Sequence, residues 1–346
     1  MSEYYNWQKT LSYNADITMV IAARGIGKTY GLRKQCIKDF VNRGKTFVEV
    51  TRYREELQAL QRNYFDRIAH EFPEYAFKVE TNCGYIAVKT TNEKNYDWKL
   101  CCYFLAMTSF QMIKKMTFNN VKRIIMDECI IERNDVYHRY LPNEWQILTN
   151  IVDTVTREHS DDKDKAKLYL LGNACDIINP YFEYMRVNGM PDNGYTWYNN
   201  KHVLLHYPKN VSYAEDKKNT LAGQMSLGTA NESVALENIF VNNELDLIRD
   251  KSSCSVYVCT LFYNNKEIAI WVDNSEGYYY CNQFTPKNST TCFALTIDDN
   301  ANYQVLRKRM PLLRTIADAY RMRVMWFDTP RTHGVFKDIM SFIGEA

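Results

Sequence analysis

The sequence predicts an α/β fold: a mostly parallel sheet with helices on both faces, followed by a smaller α+β domain. Three observations carry this expectation. Over the first 200 residues, short apolar runs rich in β-branched side chains alternate with segments of helical period. The first of these runs passes through a glycine-bearing loop straight into a helix. From Ser255 the period drops to two, the mark of antiparallel strands. A length of 346 residues accommodates two domains. The expected division is 1–200, a linker or hinge over 201–235, and 236–346.

The first strand is Ile17 to Ile21, and Ala22-Ala23-Arg24-Gly25-Ile26-Gly27-Lys28-Thr29 follows it into a helix over Lys28 to Val41 that Gly44 closes. Strand, glycine loop, Lys-Thr and helix together form a phosphate cradle. Backbone N–H groups from Ala23 to Tyr30 face the phosphates, Lys28 reaches the β and γ oxygens, and the Thr29 hydroxyl holds Mg²⁺. Such loops usually open with glycine, and Ala22 gives up the access to positive φ that glycine has. The competing reading is an ordinary strand-to-helix turn that happens to hold two glycines. Upstream, Tyr4, Tyr5, Trp7, Gln8 and Tyr13 offer either an adenine contact or packing under the sheet.

Thr46 to Thr51 is a second strand, and Glu55 to His70 returns to helical spacing. A hairpin is expected around Asn82-Cys83-Gly84, then a strand over Leu100 to Met107 and a short helix over Ser109 to Met116. The apolar run Val121 to Met126 ends in Asp127-Glu128. A carboxylate at such a strand tip binds Mg²⁺, and a second one directly after it polarises the attacking water. Asp127 takes the first role and Glu128 the second, against the alternative of an acidic pair capping a strand end. A helix follows from Pro142 to about Glu158 with Asn143 as N-cap. Arg157, at its end before the charged turn HSDDKDK, is either an arginine finger for a neighbouring subunit or a solvated arginine favoured by the helix dipole. Leu168 to Leu171 is the next strand, and Asn173 beyond its tip can sense the γ-phosphate or cap a turn.

Residues 187–200 read as loop, and 209–235 are polar with Gly223 and Gly228. Strands over Ser255–Tyr263, Glu267–Asp273 and Tyr278–Gln283 follow, with turns at Asn264-Asn265 and Asn274 to Gly277. Then come an apolar CFALT segment, a helix over 301–321, a strand over Arg323–Phe327 and a last helix. That order resembles a ribonuclease H-like fold. Nucleases of that fold converge several carboxylates on two metals, one of them from the first strand. SVYVCTLFY has no acidic residue, and turn or strand-end positions explain Asp273, Asp298, Asp299 and Asp328, so no cleavage is expected.

Charge is nearly balanced, 43 basic against 41 acidic residues, with 27 against 25 up to residue 200 and 16 against 16 after it. Contact with nucleic acid must then come from local patches. Arg52 and Arg54, beyond the second strand, are candidates to grip DNA phosphates, unless they merely solvate a helix start. Ten irregularly spaced cysteines with no C-x-x-C motif argue for free thiols in a reducing compartment. The N-terminus shows no apolar signal region and no run approaches membrane-spanning length, so an intracellular protein without a membrane partner is expected.

With both anchors placed, the sequence resembles the DNA-packaging ATPases of phi29-like podoviruses. ARGIGKTY, the IIMDE strand end, LPNE…DTVTRE, GNA…NPYF, QKTLSY and WVD…GYYY carry the likeness along nearly the whole chain. The resemblance implies a ring of five subunits on the portal vertex of an empty procapsid in the host cytoplasm. That ring drives double-stranded DNA inward with ATP and Mg²⁺. It also implies a packaging RNA bridging motor and capsid, and a C-terminal domain that binds nucleic acid. Carried over by position, Lys28 and Thr29 bind nucleotide and metal, Asp127 coordinates Mg²⁺, Glu128 is the base and Arg157 the trans-acting finger. Lys114 is a candidate second trans-acting basic residue. The rival readings are a large terminase that also cuts, a ring helicase, and a nucleic-acid-binding scaffold with a decayed phosphate loop.

Overall fold

The structure, a computed structural model, describes residues 5–131, 139–157, 165–187, 191–208, 218–226, 244–263, 266–287, 289, 291–296, 303–305 and 310–343. The chain divides into two compact units. One comprises Met1–Asp176 and Pro191–Val241, the other Ile177–Met190 and Asn242–Ala346.

The first unit is built on β1 (Ile17–Ile21), β2 (Thr46–Thr51), β3 (Tyr75–Glu80), β4 (Cys83–Val88), β5 (Lys99–Ala106), β6 (Val121–Met126), β7 (Lys167–Gly172), β8 (Gly194–Tyr198) and β9 (Val203–Tyr207). They form one sheet in the order β3-β4-β5-β2-β6-β7-β1-β9-β8. Six central strands, β5 to β9 in that order, are mutually parallel, and antiparallel β3-β4 and β8 finish the edges. β1, β2, β6 and β7 are buried on both faces along most of their length, which requires helices on each side. Helices of this part include α1 (Trp7–Ser12), α2 (Lys28–Arg43), α3 (Arg54–Gln61), α4 (Phe110–Ile113) and α5 (Glu144–Thr156). Trp7, Leu32, Ile37 and Leu57 from α1 to α3 pack with Val20, Phe47, Phe104, Ile125 and Leu171 of the sheet in one core. Each such side chain contributes about 1.5–3 kcal/mol by leaving water. That core anchors the loops at the strand ends.

Several expectations need correction. The helix after β2 stops at Gln61, because Tyr64 and Phe65 turn into the core instead of continuing a helical stripe. The hairpin turn is Thr81-Asn82, both at positive φ, and Cys83 and Gly84 already belong to β4. Residues 203–207, read as the start of a linker, are β9, which pairs in parallel with β1, and β8 extends it. VLLHY is a short strand whose parallel partner β1 lies far earlier in the chain, Ile17 opposite Val203, so local pattern alone could not place it. The boundary at 200 therefore falls inside a hairpin of the first unit. Residues 177–190, with α6 (Pro180–Met185), pack with the second unit instead. The short helix α7 (Leu221–Ser226) carries Gly223. Gly228, the HSDDKDK turn up to residue 164, Asn264-Asn265, Asp298 and Asp299 lie outside the described residues.

The second unit holds β10 (Val256–Tyr263), β11 (Lys266–Asp273), β12 (Tyr278–Asn282), β13 (Cys292–Ala294), β14 (Gln304–Val305) and β15 (Met325–Phe327), in the order β14-β13-β10-β11-β12-β15. The first three are antiparallel neighbours, and the later ones add in parallel. α8 (Pro311–Arg321) begins ten residues later than the expected 301, at a proline suited to a first helical turn. α9 (Pro330–Ile343) closes the core with Phe336, Ile339 and Met340. Asp273 serves a turn: its Oδ1 accepts the N–H groups of Ser275 at 2.9 Å and Glu276 at 3.1 Å.

Candidate active site

From Ile21 the chain turns through Ala22–Gly27 into α2. Positive φ falls on Gly25 (88°) and Gly27 (80°), where any side chain would be strained. Ala22 keeps negative φ: its N–H continues the β1–β7 ladder to the Gly172 carbonyl at 3.1 Å. Alanine at the opening of the loop thus costs no strain, because this backbone never asks for positive φ there.

Lys28 opens α2 and is 7 % exposed. Its Nζ donates to the Ala22 carbonyl at 2.9 Å, the Ala23 carbonyl at 3.3 Å and Asn173 Oδ1 at 2.7 Å. Burial pushes the Lys28 ammonium below its ordinary value, and Asp127 opposes that shift. Asn173 arrives there because β7, which it follows, is the strand next to β1. Beyond β7 lies β6, whose tip carries Asp127 and Glu128. The Thr29 hydroxyl donates to Asp127 Oδ2 at 2.7 Å. A hydroxyl and a carboxylate meeting at the N-terminal turn of α2 are the hard-oxygen donors that suit Mg²⁺ shared with phosphate oxygens. The residues present fit that ion.

Glu128 is exposed and sits at φ 51°, with its N–H on Asp127 Oδ1 at 3.0 Å. A left-handed glutamate costs about 1–3 kcal/mol and persists only where its surroundings hold it. Arg52 supplies that hold. Its Nε lies 2.9 and 3.0 Å from the two Glu144 oxygens, its Nη1 donates to the Glu128 carbonyl at 2.9 Å, and its Nη2 donates to the Cys129 carbonyl. The expectation that Arg52 grips DNA is corrected: the side chain is 4 % exposed and faces inward. Arg54, the first residue of α3, is exposed and stays available.

Glu144 was invisible as a site residue in the sequence, where an acid in a first helical turn reads as a dipole partner. It is fully buried, and Oε2 also accepts the Leu141 N–H at 2.8 Å. Asn143 does stand at the N-cap, at φ 55°, but its side chain makes no capping bond. A second buried network is equally hidden in the sequence, since a polar residue mid-strand carries no periodic signal. Glu49, in the middle of β2, accepts from Arg33 Nε at 2.8 Å and from the Tyr64 hydroxyl at 2.7 Å. Arg24, Arg33, Arg52, Asp127, Glu128 and Asn173 line one cleft of about 440 Å³.

The remaining expected residues stand apart. Ile26 is buried, and Ala23 enters through its carbonyl. Tyr30 donates its hydroxyl to Glu71 Oε1. Arg157 ends α5 largely exposed, with Nη2 3.6 Å from Asp153 Oδ2. Lys114 follows α4 on the surface, its Nζ 4.4 Å from the centre of the Phe110 ring.

A parallel sheet in which the strand entering the glycine loop is separated by one strand from the strand bearing an Asp-Glu tip is the α/β frame of an ATPase domain. The profile of the Podovirus DNA encapsidation protein (Gp16) family matches residues 1–340, and the chain belongs to that family. It is 32% identical over 321 residues to the DNA packaging protein of Bacillus phage B103, covering 92% of this chain and 94% of that one. Its fold is similar to a chain of the bacteriophage phi29 viral genome packaging motor assembly, with TM-score 0.70, 28% identity, and coverage of 99% here and 100% there. It is also similar to the N-terminal domain of the DNA packaging ATPase from phi29. That match has TM-score 0.51 and 32% identity, over 61% of this chain and 98% of the other.

Proposed function

We propose that this protein is an ATP-driven motor that moves double-stranded viral DNA into a procapsid, hydrolysing ATP in the cleft between α2 and the tips of β6 and β7. The observation that carries the reading is the convergence of Lys28, Thr29, Asp127 and Asn173 within hydrogen-bond reach, with Glu128 beside them. Lys28 exchanges its loop carbonyls for β and γ oxygens of the nucleotide. Mg²⁺ between Thr29 and Asp127 would neutralise charge on the same phosphates. Glu128 takes a proton from the attacking water onto its carboxylate, and Asn173 reads the γ position through the contact it already makes with Lys28.

The names of the relatives support DNA packaging as the work done. On this reading Arg157, exposed at the end of α5, completes the site of a neighbouring subunit, and Lys114 assists there. Arg54 touches DNA phosphates. The assembly is a five-membered ring on the portal, with a packaging RNA among its partners. The C-terminal unit binds nucleic acid without cutting it, in keeping with a first strand, β10, that has no acidic side chain.

The test is ATP hydrolysis by the purified protein with and without double-stranded DNA. Wild type should be stimulated by DNA, and Lys28→Ala should lose at least about 100-fold in either condition. Wild-type turnover in Lys28→Ala would refute the assignment of the cleft.

A further inference from the structure

We propose that Trp7 is a positioning residue for the phosphate loop, a brace that sets the place of Lys28 from outside the loop. This rests on the reading of Lys28 as the ATP-binding lysine. The indole Nε1 donates to the Lys28 carbonyl at 2.7 Å, and the side chain is buried. Two residues earlier, the Tyr5 N–H donates to the Ile26 carbonyl at 2.9 Å. The N-terminal segment therefore holds the loop-to-helix junction at two successive alternate residues, 26 and 28.

The indole also fixes how closely α2 approaches. A Cβ at Gly31 would lie 2.6 Å from Trp7 Cδ1, closer than real side chains come, and a tight 3.1 Å from Nε1. The ring also meets Tyr169 of β7 edge-on, with centroids 6.0 Å apart, and Tyr5, tilted, at 4.9 Å. The indole is thus wedged between the first turns of α2 and the strand that presents Asn173. Lys28 Nζ bonds Asn173 at 2.7 Å, so the spacing of α2 from β7 decides whether that pair and the phosphates share one geometry. Packing alone would be served by any large ring. The hydrogen bond to the backbone of Lys28 needs an indole. Because the Lys28 carbonyl has a second lone pair for its helical partner, the indole bond adds a constraint without displacing one.

Trp7→Phe keeps a ring and removes the N–H. KM for ATP should rise about three- to tenfold, the effect of one buried hydrogen bond, while kcat stays within about twofold of wild type. Gly31→Ala supplies an independent arm. In an open helix, alanine in place of glycine stabilises; here it should push the indole out and raise KM to a similar extent. In the Trp7→Phe background the same change should add little, because the smaller ring leaves room. Wild-type KM in Trp7→Phe, or a fall in kcat and melting temperature with KM unmoved, would overturn the brace. So would a Gly31→Ala effect of equal size in both backgrounds. Should Trp7→Phe fail to fold, Gly31→Ala alone decides: a wild-type KM there refutes the proposal. Lys28→Ala separates the two levels. If it binds ATP as wild type does, the reading of the site falls and the brace with it; if it is defective while Trp7→Phe is normal, only the brace falls.

Discussion

Glu128→Gln is expected to lower ATP turnover by about 10²- to 10⁴-fold while leaving ATP binding intact. The amide keeps the volume of the carboxylate but loses its negative charge and with it the capacity to take a proton. The backbone that presents the residue does not depend on the acid, since it is held through main-chain atoms. Asp127 Oδ1 accepts the Glu128 N–H, and Arg52 binds the Glu128 carbonyl. Structure and stability should therefore match wild type. Nucleotide binding measured beside single-turnover hydrolysis checks this. A variant that binds ATP poorly would mean that Glu128 holds the nucleotide instead of activating water.

Arg52→Ala should have the largest effect on stability, a loss of about 3–5 kcal/mol, because it strands the Glu144 carboxylate in the interior. The pair is 4 % and 0 % exposed, so water cannot replace the guanidinium. Two backbone carbonyls, of Glu128 and Cys129, lose their donor at the same time. Arg52→Lys should recover only part of the loss. An ammonium is a point charge and cannot span a carboxylate and two carbonyls, as the planar fork does. Chemical denaturation of the three proteins measures the order wild type, Lys, Ala. Hydrolysis should fall further than stability predicts in Arg52→Lys, since the left-handed turn at Glu128 loses its restraint. Arg52→Ala with wild-type stability and weakened DNA binding would return this residue to the surface.

The frame of the cleft is legible in the sequence because that frame is local. A β-branched run, two glycines and Lys-Thr lie within sixteen residues, and Asp127-Glu128 sits directly on a strand end. β1, β2, β6 and α2 fall where the pattern puts them, and so does the position of Asn173 beside the phosphate loop. What escaped was non-local. β9 reads as the start of a polar linker until its pairing with β1 is known. Arg52 and Glu144 are charged residues at the starts of helices, which solvent normally claims, and only the fold reveals that they face each other. Trp7 was legible as packing, yet its hydrogen bond depends on an α2 register that no spacing rule supplies.

The proposed function requires a motor whose active sites are shared between neighbours, with Glu128 from one subunit and Arg157 from the next. Mixing Glu128→Gln with Arg157→Ala protein in the presence of double-stranded DNA, and measuring ATP hydrolysis across a range of concentrations, tests it most directly. Each variant alone should be inactive. The mixture should regain activity that rises with concentration, because an Arg157→Ala subunit keeps its own Glu128 and can borrow the arginine of a Glu128→Gln neighbour. Full activity in Arg157→Ala alone, or a mixture as inactive as its parts, would contradict the shared site.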